Sequence, residues 1–440
     1  MHSPVMIHDA PLAETADDLR RGRTDPVEYV ETLNARTRHL EPELGAFVGE
    51  SDRWERVRTA AGDLADRYSG PAERPPLYGV PVGVKDVFHV DGLETRAGSD
   101  LPADVLTGEE ATVVSRLRDA GAIVLAKTVT AEFAYFDPGP TRNPHDTDHT
   151  PGGSSSGSAA AVAAGFCPLA LGTQTIGSVA RPAAFCGIVG FKPTFGRVPT
   201  EGVIPVSPSV DTVGWFTQDV AGACLGAAVG CDDWRMLPEP CERPTLGVPE
   251  GPYLDQTDDI GREAFEAQVE RLANADYDVE RVDVLADVAA VNKRHERLMA
   301  AEMAVAHESW YREHSDRYAD ATRDLIEKGH EVTGAEIAHG RQGRHDLRAA
   351  LETRMDEAGV DLWVSPAAPG PAPGGIDDTG DPVMNLPWTH AGLPVVSVPA
   401  GTTGDWVERE VGLPLGLQCV ARSGADEDLL WWAEGLVDAL

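Results

Sequence analysis

Lysine is nearly absent from this chain, occurring only at Lys85, Lys127, Lys192, Lys293 and Lys328, so arginine carries most of the positive charge. The 37 Lys and Arg residues face 72 Asp and Glu, which leaves a formal net charge of −35 and a pI near 4.6. So strong a negative field argues against nucleic acid and anionic lipid as partners. The acidity runs along the whole chain, as expected of a protein adapted to high salt, where self-repulsion is screened. Cysteine is also scarce: Cys167, Cys186, Cys224, Cys231, Cys241 and Cys419 are scattered and form no Cys-x-x-Cys pair. Free thiols in a reducing cytosol fit that usage. No hydrophobic run approaches the roughly 18 uncharged apolar residues of a membrane span. The first residues, Met1 to Asp9, lack the basic and then apolar pattern of a secretory signal. A soluble, cytoplasmic protein with no membrane partner is expected.

What remains is globular. Hydrophobic residues make up 42% of 440 positions and alternate with polar ones throughout, which excludes long disorder and a fibrous design. Residues 11–68 read as two or three amphipathic helices, with Leu12, Ala16 and Leu19, then Val30, Leu33 and Thr37, at helical spacing. Val80 to Val90 alternates with period two and reads as a strand. A helix at Ala111 to Asp119 and a strand at Ala122 to Ala126 continue an α/β rhythm. A Gly/Ser loop enters a small-residue helix that Gly165 stops, and Pro168 to Thr173 reads as a strand leading into another Gly/Ser turn. Further strands are expected at Leu246, Val279 to Val284, Leu362, Pro394 and Leu415, and a closing helix carries Leu429, Trp432, Ala433 and Leu436. The charged stretch 286–357 reads as a helical cover. No repeat and no internal boundary is evident, so one α/β domain over 1–440 is expected. It comprises N-terminal helices (1–75), a core segment (76–220), the cover (286–357) and a C-terminal part of the core (358–440).

Three segments carry chemistry: Gly79-Val-Pro-Val-Gly-Val-Lys85-Asp, Gly152-Gly-Ser154-Ser-Ser-Gly-Ser-Ala-Ala-Ala, and Gly172-Thr-Gln-Thr-Ile-Gly-Ser178-Val-Ala-Arg181-Pro. A serine hydroxyl is a weak nucleophile until a base takes its proton, and lysine can do so only when its amine is neutral. A second serine, which both donates and accepts, can relay that proton to the leaving nitrogen. Lys85 therefore needs a pKa far below the free value of about 10.4, which desolvation provides and a carboxylate opposes. Its neighbour Asp86 need not pair with it, because adjacent strand side chains point to opposite faces. A phosphate-binding P-loop would need Gly-Lys-Ser/Thr where Gly157 is followed by Ser158.

Together these segments closely resemble the amidase signature family, as do Thr141-Arg-Asn-Pro and Gly412-Leu-Pro-Leu-Gly-Leu-Gln. The resemblance covers essentially the whole chain. It implies a central mixed β-sheet covered by helices on both faces, and a triad of Lys85 as base, Ser154 as bridging serine after a cis peptide, and Ser178 as nucleophile. The turn Thr175, Ile176, Gly177, Ser178 would offer backbone N–H groups as an oxyanion hole, each such donor typically contributing about 3–4 kcal/mol. Family members usually carry Gly where this chain has Ile176 and Ser156, so Ile176 is expected to narrow the acyl site. By the same resemblance Arg181 would hold a substrate carboxylate, a task for which guanidinium is suited; an ion pair or a cap on nearby carbonyls is the alternative.

The reaction implied is hydrolysis of a small carboxamide through an acyl-enzyme on Ser178, without metal or organic cofactor, in a chain that could form a homodimer. The alternative is the glutamine-hydrolysing subunit of a tRNA-dependent amidotransferase. That subunit generally reads Thr-Asp-Thr-Gly-Gly-Ser-Ile-Arg, whereas this chain has Gln174 at the acidic position and its arginine one place later. Among the other polar residues, Lys127 and Lys192 are expected to support the fold. His145-Asp-Thr-Asp-His149 is expected to be a solvated loop and not a metal site. The histidines at 295, 307, 314, 330, 339 and 345 are expected on a solvated helical face.

Overall fold

The computed structural model describes residues 6–235, 242–405 and 412–440; Cys241 lies outside them. Ten strands form one mixed sheet: β1 Pro81–Lys85, β2 Ile123–Thr128, β3 Leu169–Gln174, β4 Val189–Lys192, β5 Thr212–Thr217, β6 Leu246–Glu250, β7 Val279–Asp283, β8 Leu362–Pro366, β9 Val395–Thr402 and β10 Pro414–Val420. Their order across the sheet is β2-β1-β3-β5-β4-β9-β10-β8-β6-β7. One end, β2-β1-β3, is parallel, the middle is antiparallel, and the β8-β6-β7 end is parallel again.

Strands buried on both faces read as apolar runs, and β1, β2, β3 and β8 are buried at every position. Several large aromatic side chains lie in the core, Trp215, Trp363 and Trp388 among the largest fully buried. The Tyr253 hydroxyl accepts from Trp388 Nε1 at 2.8 Å and donates to the Met384 carbonyl at 2.6 Å, which satisfies two polar groups inside the apolar mass.

The N-terminal stretch resolves into three helices, Leu12–Arg21, Pro26–Leu44 and Arg53–Arg67. Asp25 caps the second through the N–H groups of Val27 and Glu28, and Pro26 occupies its first turn. The expected strand from Val80 to Val90 is shorter, because the Lys85 carbonyl accepts from Phe88 N at 3.0 Å and turns the chain out of the sheet. The cover consists chiefly of helices Val288–Ala306, Glu308–His314, Asp320–His330 and Gly334–Ala358, the last opened by a Thr333–Glu336 capping box. No helix among the described residues is long and apolar enough to cross a membrane.

Two segments position the site. The helix Ser156–Ala163 is buried along its whole length behind β1, β2 and β3. Only small side chains fit there: a Cβ on Gly157 would meet the Ala46 carbonyl oxygen at 2.2 Å and Val129 N at 2.4 Å. The turn between β3 and helix Ala180–Cys186 lies at the carboxyl end of a parallel strand, where α/β sheets place their ligand sites.

Candidate active site

Register brings the first two elements together. β1 pairs with β3 in parallel, Val84 opposite Leu171, so Lys85 at the end of β1 lies beside Thr173 near the end of β3. Lys85 is fully buried, and its Nζ donates to Ser154 Oγ at 2.8 Å and to Thr173 Oγ1 at 2.9 Å. Burial drives its pKa well below the ordinary lysine value, opposed by the Asp211 carboxylate. Asp86 is engaged elsewhere, with its carboxylate 2.7 Å from Lys127 Nζ on β2. The peptide bond Gly153-Ser154 is cis, and the Ser154 carbonyl accepts from Ala131 N at 3.1 Å.

Ser178 stands at the next turn. Gln174 builds that turn: its Oε1 accepts from Val179 N at 2.8 Å and Ala180 N at 2.9 Å, while its Nε2 donates to Thr389 Oγ1. Thr389 Oγ1 in turn donates to the Ile176 carbonyl at 2.7 Å. With that carbonyl turned away, the N–H groups of Ile176, Gly177 and Ser178 have no acceptor among the described residues. Ser178 Oγ likewise makes no hydrogen bond there, neither to Ser154 nor to another side chain. Catalytic contacts of this kind often close only around substrate. Gly177 sits against Asn385: a Cβ would lie 2.2 Å from Asn385 Oδ1. Gly177→Ala is therefore expected to displace the turn and slow reaction at Ser178 about 100-fold; the check is the rate of fluorophosphonate labelling beside an unchanged circular dichroism spectrum.

A small pocket beside Ser178 is lined by Ala134, Tyr135, Phe136, Ile176, Met299 and Pro382, with Thr175 and Arg181 as polar members. Ile176 does form part of this wall. Arg181 is buried, donating through Nη1 to the Gly380 carbonyl and through Nη2 to the Gly153 carbonyl at 2.6 Å and Thr379 Oγ1 at 3.1 Å. Its Nε has no partner, and no carboxylate forms an ion pair with it among the described residues. Burial lowers its pKa to about 10, against the more distant charges of Asp381 and Asp378.

The other polar candidates fall away from this pocket. Lys192 is buried and its Nζ donates to the carbonyls of Pro193 at 2.9 Å and Leu393 at 2.6 Å, with burial lowering its pKa to about 7. Lys127 faces Asp86 and Thr95. His145 Nε2 lies 3.0 Å from the Cys186 carbonyl oxygen, and no group of three His, Cys, Asp or Glu is placed to hold a metal ion among the described residues. The expectation of a solvated histidine face fails for two residues. His295 and His307 are fully buried on the inner side of the cover, His295 Nδ1 lies 3.2 Å from His390 Nδ1, and burial lowers the pKa of both to about 4. Residue spacing alone hides this, because the cover packs its mixed polar helices inward. Asp211 and Thr389 escape a sequence reading, since they reach the site from separate segments through hydrogen bonds to Thr175, Gln174 and the Ile176 carbonyl.

The fold that carries this site is that of hydrolases acting on amide C–N bonds. The chain belongs to the amidase family, whose model matches residues 28–430. Among proteins similar to it is a subunit of the glutamyl-tRNA(Gln) amidotransferase of Symbiobacterium thermophilum, 33% identical over 93% of this chain and 92% of that one. A solved amidase superposes with a TM-score of 0.86 at 32% identity over 98% of this chain and 99% of that one. A peptide amidase complexed with the competitive inhibitor chymostatin superposes with a TM-score of 0.81 at 26% identity over 98% and 97%. These findings correct one expectation. The strong negative charge argues against nucleic acid as a partner, and the resemblance to amidases implies a small-molecule amide as substrate. Relatives across nearly the full length, however, are subunits of an enzyme named for a tRNA. Net charge describes the average surface and does not exclude a partner protein that carries the nucleic-acid contacts.

Proposed function

We propose that Ser178 attacks the carbonyl of a carboxamide and forms an acyl-enzyme. Lys85, neutral in its buried site, takes the Ser178 proton through Ser154 and returns it to the leaving nitrogen as the C–N bond breaks. Water, activated through the same two groups, then releases the acid. The N–H groups of Ile176, Gly177 and Ser178, in the turn that Thr175 begins, stabilise the oxyanion. The observation that carries this reading is the 2.8 Å bond from buried Lys85 Nζ to Ser154 Oγ, made with no carboxylate paired to the amine. Arg181, which lines the pocket and pairs with no carboxylate among the described residues, supports an acyl group that bears a carboxylate.

A second reading takes glutamine as that amide, with ammonia passed to a partner protein within a tRNA-dependent amidotransferase. The names of the relatives favour it. Gln174 does not weigh against it as heavily as sequence alone suggests, because its Oε1 supplies the two-fold acceptor that a carboxylate would supply. The solved structures of an amidase and a peptide amidase support amide hydrolysis in general, and the relatives over nearly the full chain weigh towards the second reading over the first. The purified chain, assayed at high salt to suit its charge, is expected to release ammonia from a carboxylate-bearing amide. Glutamine turnover that emerges only on addition of co-expressed partner proteins would establish the second reading and sink the first.

A further inference from the structure

We propose that Asp211 is a positioning residue for the reaction at Ser178: its carboxylate fixes Thr175, and with it the turn of free N–H groups, while placing a negative charge close enough to act on Lys85. The proposal rests on the reading of Lys85 and Ser178 given above and adds a residue to it.

The geometry is a chain of short bonds. Thr175 Oγ1 donates to Asp211 Oδ1 at 2.6 Å. Asp211 Oδ2 accepts from Val206 N and Ser207 N, both at 2.9 Å, so the carboxylate can rotate away from Thr175 only by leaving two backbone donors unpaired. The loop that carries it is itself clamped by the helical cover. Glu302 Oε2 accepts from Ser207 Oγ at 2.7 Å and Ser209 N at 2.9 Å, and Arg341 donates to Glu302 Oε1 at 2.7 Å. The chain thus runs from helix Gly334–Ala358, through helix Val288–Ala306 and the loop before β5, to the turn at Ser178. Thr175 and Asp211 also line one cavity with Thr173, the second acceptor of the Lys85 amine. Among the described residues Asp211 is the charge that acts on Lys85, Asp86 being paired with Lys127; burial raises the Asp211 pKa, and the hydrogen bonds from Thr175, Val206 N and Ser207 N oppose that rise and favour its carboxylate.

The two roles separate experimentally. Asp211→Asn removes the charge and, because its amide oxygen is needed by Val206 N and Ser207 N, turns its amide nitrogen to Thr175, where it can no longer accept the hydroxyl proton. Thr175→Val removes the link and leaves the charge. The readout is the rate of labelling of Ser178 by a fluorophosphonate probe across pH, which needs no knowledge of the natural amide. In the parent the rate falls on the acid side as Lys85 takes up a proton. Asp211→Asn is expected to label about tenfold more slowly, with its acid limb moved down by about one pH unit, since loss of a nearby negative charge disfavours the ammonium. Thr175→Val is expected to label about tenfold more slowly with the acid limb unmoved. An unmoved limb in Asp211→Asn, or parental labelling by Thr175→Val, overturns the proposal. If Asp211→Asn does not fold, the Thr175→Val rate decides alone. Ser178→Ala run in parallel keeps the two readings apart: labelling that survives it removes the nucleophile assignment, whereas its loss leaves only the role of Asp211 at stake.

Discussion

Lys85→Ala and Ser178→Ala are each expected to abolish amide hydrolysis, with losses of about 10⁴–10⁶-fold and no further loss in the double variant, because residues that act as one unit are not additive. Lys85→Arg is the sharper test. Arginine restores positive charge at the same place but does not deprotonate in a protein, so it is expected to be as inactive as alanine if the amine serves as a base. Retained activity in Lys85→Arg would make Lys85 an electrostatic prop and remove the proposed mechanism. The pH dependence has a definite sign. Burial lowers the Lys85 pKa well below the ordinary value, so the neutral amine persists to lower pH than a surface lysine allows. Below the folded pKa the ammonium can no longer accept, and the rate is expected to fall about tenfold per pH unit. A rate flat through that limb would contradict the assignment.

Much of this arrangement is legible in the chain. The apolar runs that form β2, β3, β8 and β9 and the Gly/Ser turns that follow two buried segments point to the α/β architecture and to the turn at Ser178. Lys85 stands out because only five lysines exist in the chain. Three things are not legible. β4 has only four residues and β5 carries Gly214 in its middle, and they are strands because their neighbours on both sides supply partners, which no local pattern reveals. His295 lies on the buried face of helix Val288–Ala306 among Val291, Leu298 and Met299, and His307 in the junction after that helix, where the density of charged residues in the segment masks the buried stripe. Asp211 sits in a loop without periodicity and acquires its meaning from a hydrogen bond to Thr175, 36 positions away in sequence. Groups that bear the reaction occur in distinctive local motifs, whereas the groups that hold them are ordinary residues made specific by long-range contacts.

Arg181 joins the two kinds, and its substitution should show both. Two of its nitrogens hold carbonyls, one of them on Gly153, the residue before Ser154, so Arg181→Ala is expected to slow even neutral amides about tenfold by loosening Ser154. The larger loss concerns charge. A buried guanidinium without a paired carboxylate is costly until an anion enters; Arg181 lines the pocket that holds Ser178, and its buried Nε has no partner among the described residues. Succinamic acid and butyramide share a four-carbon acyl chain and differ in the terminal carboxylate, so their kcat/KM ratio isolates that contact. In the parent the acid is expected to be preferred, and in Arg181→Ala the preference is expected to fall about 100-fold, corresponding to the roughly 2–5 kcal/mol typical of truncating one partner of a buried hydrogen-bonded charge pair. Arg181→Lys keeps the charge but loses the planar fork that grips Gly153 and Gly380 at once; it is expected to recover part of the acid preference while remaining slow on both amides. A ratio unchanged by Arg181→Ala would confine the residue to its carbonyl contacts and leave the acyl side of the substrate to be set by Ile176, Phe136 and Met299.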